Sequence, residues 1–290
     1  MSQEPQAAHF YGLGGVTLRA DIYGDKEAHP VILLHGGGQT RHAWGSTAMR
    51  LADAGFQALT LDLRGHGESD WAPDSDYSMD AFMADLFVVM ESFSSPPAVA
   101  GASMGGMTAL LAAGEASDDQ PAMASLILVD VAPTLEPEGV LRILEFMNSN
   151  PDGFETIEEV ADLVSNYMPH RPRPKDLSGL SKNLRLGEDG RYRWHWDPEF
   201  LSPKRHASNA NRPTRLLEAA QALTIPTLLV RGRMSDVVSE EGVSEFLEAA
   251  PHARFVDVAD AGHMVAGDRN DVFTNAVVDF LEESSPARTS

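Results

Sequence analysis

The sequence predicts an α/β fold, with a mostly parallel sheet covered by helices on both faces. Two observations carry this. Segments 30–34, 56–61, 125–130 and 225–230 are predominantly apolar runs without regular polar alternation, as strands buried on both faces are. Helical patterns separate them, as where Phe82, Leu86, Val89 and Phe93 share one face. The 290 residues, 43% of them hydrophobic, suit one large domain or a domain carrying an insertion.

Taken in order, residues 1–8 read as a loose tail. Residues 9–23 read as a hairpin turning at Leu13-Gly14-Gly15, with Val16, Leu18, Ala20 and Ile22 on one face. Strand 30–34 runs into His35-Gly36-Gly37-Gly38, and a helix is expected at about 42–54. Strand 56–61 ends in a polar, glycine-rich loop from Asp62 to Asp70. Ser78 is placed to cap the next helix. Further strands are expected at 97–100, 125–130, 225–230 and 253–258, with helices at about 239–250 and 270–283. Residues 134–223 break this alternation with scattered prolines and short helical pieces. The stretch is too long for a structureless loop. It reads as a helical insertion over the C-terminal edge of the sheet, dividing the chain into 1–133 and 224–290 for the core and 134–223 for the insertion.

Composition excludes several classes of function. Cysteine is absent, which removes disulfides, thiolate nucleophiles and cysteine-ligated metals. No apolar run approaches the ~18 residues of a membrane span, and the first residues lack a basic segment followed by an apolar one. A cytoplasmic location is the expectation. The net charge of −21, from 43 acidic and 22 basic residues, disfavours nucleic acid and anionic membranes as partners. A homo-oligomer stays compatible with all of this. Without a His-Glu-x-x-His or a Gly-x-x-x-x-Gly-Lys motif, no metal and no cofactor are expected.

The most informative segment is Gly101-Ala102-Ser103-Met104-Gly105. An apolar run precedes it and a small-residue helical stretch follows, so Ser103 sits on a sharp strand-to-helix turn. A serine there needs a base, and His263, shortly after the last strand, is the candidate. The base needs an orienting acid. Asp236 is preferred, from a Ser–Asp–His chain order, and Asp130 is the rival because it ends the strand before the insertion. A developing oxyanion needs two fixed donors. These are expected to be the N–H of Met104, at the helix N-terminus, and that of Gly37, with Gly38 as second choice. In the insertion, Trp194 and Trp196 share a face if that segment is extended. Together with Met147 and Gly38 they are candidates to line an apolar pocket, although the aromatics equally suit the insertion's own core. His35 and the 62–69 loop are expected to be structural braces, and His66 either a brace, which is preferred, or a residue that touches substrate. His42 and Trp44 face either the pocket or a helix packing.

The His35–Gly38 loop, Asp62-x-Arg64-Gly65-His66-Gly67-x-Ser69, the Gly-Ala-Ser-Met-Gly-Gly turn, Gly232-x-x-Ser-Asp236 and Ala-Gly-His263 together resemble the α/β-hydrolase superfamily. Within it they look most like the capped serine hydrolases: small esterases, lactonases, cofactor-free perhydrolases and meta-cleavage C–C bond hydrolases. The resemblance implies an eight-stranded sheet with a helical cap between strands six and seven. It does not choose among those activities. The serine points to cleavage of a small ester or lactone through an acyl-enzyme, and the aromatics and methionines of the insertion favour an apolar or aromatic substrate. C–C hydrolysis, perhydrolysis and non-catalytic ligand binding on the same fold are the alternatives. Epoxide hydrolases and haloalkane dehalogenases carry an aspartate where Ser103 stands, so acyl transfer is favoured over alkyl transfer.

Overall fold

The structure, a computed structural model, describes residues 4–117, 120, 122–169, 173, 176–203, 212–263 and 270–284. Ten strands are present among them. The first two, β1 (Gln6–Tyr11) and β2 (Thr17–Tyr23), form the expected hairpin. Then come β3 (Pro30–Leu34), β4 (Gln57–Leu61), β5 (Ala98–Ala102), β6 (Ser125–Val129), β7 (Leu184–Leu186), β8 (Tyr192–Trp194), β9 (Thr227–Gly232) and β10 (Arg254–Val258). The helices are α1 (Gly45–Asp53), α2 (Met79–Met90), α3 (Met104–Gly114), α4 (Pro137–Met147), α5 (Ile157–Tyr167), α6 (Ser178–Ser181), α7 (Arg212–Ala222), α8 (Glu240–Ala249) and α9 (Asn270–Ser284).

Eight strands form one sheet in the order β1-β2-β4-β3-β5-β6-β9-β10. All pairings from β4 onward are parallel. Alternate residues of each central strand face opposite cores. Ile32 and Leu34 join Phe82, Leu110, Leu216 and Phe246 on one side. Val31 and Leu33 join Trp44, Leu51, Phe273 and Phe280 on the other. Trp44 therefore packs within the helical layer, its ring 5.7 Å from Phe273, and not toward a pocket. Ser78 caps α2 as expected, accepting from the Ala81 N–H at 3.2 Å.

Chain order reverses at β3, with β4 on one flank and β5 on the other. Such a switch point leaves a crevice at the carboxyl ends of the strands, where ligands of open α/β sheets bind. The loop after β3 and the turn after β5 both open there. The segment between β6 and β9 is helical in part, with α4, α5, α6 and α7. It also holds a β7–β8 hairpin that the expected all-helical insertion lacked. The hairpin's short strands, three residues each, are too brief to register as a period-two pattern in the sequence. Residues 204–211 of this segment lie outside the described residues.

The turn after β5 depends on glycine for close backbone approach. A Cβ on Gly101 would collide with the backbone of Gly105 and Gly106, and one on Gly105 with the carbonyls of Leu34 and His35. Gly101→Ala is expected to destabilise the protein by about 3 kcal/mol, because rigid backbone and not a yielding side chain must move. Urea unfolding measures this, and a loss under ~1 kcal/mol would contradict the tightness of the turn.

Candidate active site

Ser103 sits between β5 and α3 with φ +46° and ψ −112°. A non-glycine residue in that region is strained, and it persists only where its surroundings enforce it. Here the Ser103 N–H donates to the Val129 carbonyl at 3.1 Å, and the Ser103 carbonyl accepts from Met107 at 2.9 Å as α3 begins. The turn leaves Ser103 partly exposed, while Met104, the first residue of α3, is buried.

In register, Ala102 pairs with Val129, so the next residues, Ser103 and Asp130, emerge side by side. Asp130 is also left-handed, at φ +48°, and its side chain is fully buried. Its carboxylate accepts three hydrogen bonds: from the Gly232 N–H at 3.0 Å, the Ser235 hydroxyl at 2.6 Å and His263 Nδ1 at 2.7 Å. The Ser235 oxygen accepts in turn from the Val237 and Val238 amides. With Nδ1–H donated to the carboxylate, His263 keeps its lone pair on Nε2.

His263 reaches Asp130 by passing over the end of β9. A Cβ on Gly232 would strike the carbonyls of Ala261 and Gly262, so glycine there admits the crossing chain. The Met234 N–H bond to the Ala261 carbonyl, at 2.8 Å, fastens it. Met264, part of the sequence motif, lies outside the described residues.

The loop after β3 is oriented through its peptide groups. His35 Nε2 accepts from the Leu63 N–H at 3.0 Å, which leaves the proton on Nδ1 to donate to the Gly36 carbonyl at 2.8 Å. The Gln39 N–H donates to the same carbonyl at 3.1 Å. A trans peptide points its C=O and N–H in opposite directions. Pinning the Gly36 carbonyl therefore aims the Gly37 N–H the other way. A Cβ on Gly36 would lie 3.3 Å from the Ser103 Cβ, so this loop and the serine are in direct contact.

The alpha/beta hydrolase fold family matches residues 29–269. The chain belongs to that family. An esterase of Mycobacterium tuberculosis is 32% identical over 251 residues, covering 82% of this chain and 78% of the esterase. Its solved structure superposes with a TM-score of 0.75 at 28% identity, over 97% of this chain and 93% of that one. A 3-hydroxybutyrate-oligomer hydrolase of Cupriavidus necator is 28% identical over 249 residues, covering 81% of this chain and 83% of the relative.

In this hydrolase the aspartate bonded to His263 is Asp130, and the preferred Asp236 does not reach the histidine. Its carboxylate accepts from Arg142 of α4 at 2.6 Å, with the two side chains 39% and 58% exposed. Asp236 lies four residues past the end of β9, on a loop against which α4 packs closely at Gly139. Asp130 follows β6 directly, beside the serine's own strand. Both aspartates precede His263 in the chain, so a Ser–Asp–His order fits either one.

The pocket candidates fall into two groups. Positions for a Cβ on Gly38 lie 3.2 Å from Met147 and 3.4 Å from Trp196, so these three are together. Trp194 stacks on Trp196 at 4.9 Å and also contacts Phe146 and Phe154, inside the insertion's aromatic cluster. Phe200 lies 3.6 Å from a Cβ on Gly37 and edge-on to His66 at 4.6 Å. His42 is exposed, with its ring 4.0 Å from the Asp21 carboxylate. Among the described residues, no cluster of three or more His, Cys, Asp or Glu is placed to hold a metal ion, and no helix is long and apolar enough to cross a membrane.

His195, in the insertion, carries no motif in the sequence. It is buried, and its Nδ1 accepts from the Gly67 N–H at 2.7 Å. Burial pushes its imidazole down to about 3. In the unfolded chain it titrates near ~6.5. Between these values the unfolded chain holds a proton that the folded protein does not. Its stabilising contribution is therefore complete above pH ~6.5 and is lost as pH falls toward 3. One such group predicts a loss of about 2 kcal/mol between pH 7.5 and pH 5. Urea unfolding of wild type and His195→Phe at both pH values checks this. The variant should lose less stability on acidification by that amount, and an identical loss would contradict a buried neutral imidazole.

Proposed function

We propose that this hydrolase cleaves small carboxylic esters through an acyl-enzyme on Ser103, with His263 as base and Asp130 as orienting acid. One observation supports it above the others: a strained, partly exposed serine beside a buried aspartate that accepts the Nδ1–H of a histidine. The proton on Nδ1 leaves Nε2 as the basic nitrogen, and the carboxylate stabilises the imidazolium that forms. The names of the two relatives, an esterase and a hydrolase of hydroxybutyrate oligomers, agree with ester substrates.

Ser103 Oγ attacks the ester carbonyl as His263 takes its proton. The oxyanion is met by the N–H groups of Gly37 and Met104, the second at the positive end of α3. His263 then returns the proton to the leaving alcohol, and water repeats the sequence to free the acid. The insertion acts as a cap. Met147, Trp196 and Phe200 stand over Gly37 and Gly38, and this apolar cover excludes bulk water and selects an uncharged acyl group. Lactones present the same carbonyl and enter by the same route.

Ser103→Ala is expected to lower kcat/KM on p-nitrophenyl acetate and butyrate by about a thousandfold or more, and Asp130→Asn by a comparable factor. Asp236→Asn should stay within about threefold of wild type, because it breaks only an exposed ion pair. Equal losses in the two aspartate variants, or a larger loss in Asp236→Asn, would unseat Asp130. Turnover by Ser103→Ala near the wild-type rate would unseat the acyl-enzyme.

A further inference from the structure

We infer that His195 is a positioning residue for the oxyanion hole, tying the loop that carries Gly37 to the seated insertion. This rests on the ester-hydrolase reading above.

The imidazole has one arrangement of its proton. The Gly67 backbone N–H can only donate, so Nδ1, 2.7 Å away, carries the lone pair. The proton is therefore on Nε2, which faces the Gly38 carbonyl at 3.4 Å. The ring is held by neighbours on two sides. Trp196 meets it at right angles at 5.3 Å, and His66 lies 5.7 Å away. Trp196 itself rests against Gly38.

The insertion also grips the 65–67 loop beside His195. The Asp197 N–H donates to the Gly65 carbonyl at 2.9 Å, and the Asp197 carboxylate accepts from the Tyr77 hydroxyl at 2.5 Å. Arg185 donates to the Gly67 carbonyl at 2.9 Å. These contacts fix where the His195 ring sits relative to the core, so the ring passes the insertion's position on to Gly38.

Gly38 needs such a hold. It is left-handed, at φ +75°, and has no side chain to fix its two torsions. Upstream, the core holds the Gly36 carbonyl through His35, and the Gln39 N–H closes a turn within the loop onto the same carbonyl. Downstream, His195 holds the Gly38 carbonyl. Between these anchors lies the Gly37 amide. An oxyanion donor must sit within a few tenths of an ångström of its place, and error there weakens transition-state binding more than substrate binding.

The test uses His195→Phe, which keeps an aromatic ring but removes both polar atoms, and His195→Asn. The second keeps a short acceptor for Gly67 but cannot reach Gly38. Steady-state kinetics on p-nitrophenyl acetate is combined with inhibition by an aryl trifluoromethyl ketone, whose serine adduct carries the oxyanion. In both variants kcat should fall about 10- to 100-fold with KM within about threefold, and the trifluoromethyl ketone should bind more weakly by the same factor as kcat. Unchanged kcat, a rise in KM alone, or lost kcat with unchanged ketone affinity would each overturn the inference. Should His195→Phe not fold, His195→Asn decides by the same measures. Ser103→Ala run alongside separates the two proposals. Serine-independent turnover strikes at the ester-hydrolase reading, whereas serine-dependent turnover indifferent to His195 strikes at this inference alone.

Discussion

The buried carboxylate of Asp130 organises the C-terminal edge of the sheet. A buried ionised carboxylate is costly unless donors surround it. Here they come from three places: the end of β9 at Gly232, the following loop at Ser235, and the loop after β10 at His263. Meeting that demand draws the ends of β6, β9 and β10 together beside Ser103. The Ser235 hydroxyl extends the order by gathering the Val237 and Val238 amides, which sets the loop against which α4 docks.

Backbone geometry does much of the remaining work. Two non-glycine residues of the site, Ser103 and Asp130, hold left-handed conformations that loops elsewhere leave mainly to glycine. Glycines 101, 105 and 232 let chains approach where any Cβ would collide. The strain at these two residues is sustained by the core on each side of the sheet, where the central strands have no exposed face. Rigid strands thus carry Ser103 and Asp130, and the glycine-rich loop after β3 is steered by hydrogen bonds to its carbonyls.

Three histidines show how a partner sets the state of a side chain. His35 and His195 each accept from a backbone amide, and in each the opposite nitrogen carries the proton toward a carbonyl of the loop. Burial lowers the pKa of both, so neither is suited to carry charge. His263 differs because a carboxylate, not an amide, faces its Nδ1. The residue type is the same in all three, and the neighbouring donor or acceptor assigns the role.

Much of the fold was legible in the chain itself. Apolar-rich runs of strand length alternating with helical patterns, and small residues around Ser103, carried the sheet and the tight turn, so both followed from local pattern. His35 as a brace of the loop after β3 was legible in the same way. The aspartate that pairs with His263 was not. Asp130 and Asp236 both end a strand region and both precede His263, and the choice between them depends on which strand lies next to β5 and how far past its end each residue falls. The bond from His195 to Gly38 escapes for the same reason, whereas the β7–β8 hairpin escapes because its three-residue strands are too short to show a period-two pattern. Sequence determines the periodicity and chemistry of each segment, which act between near neighbours. Pairings between residues more than a hundred positions apart, such as Asp130 with His263, are decided only when the sheet order brings their loops to one edge.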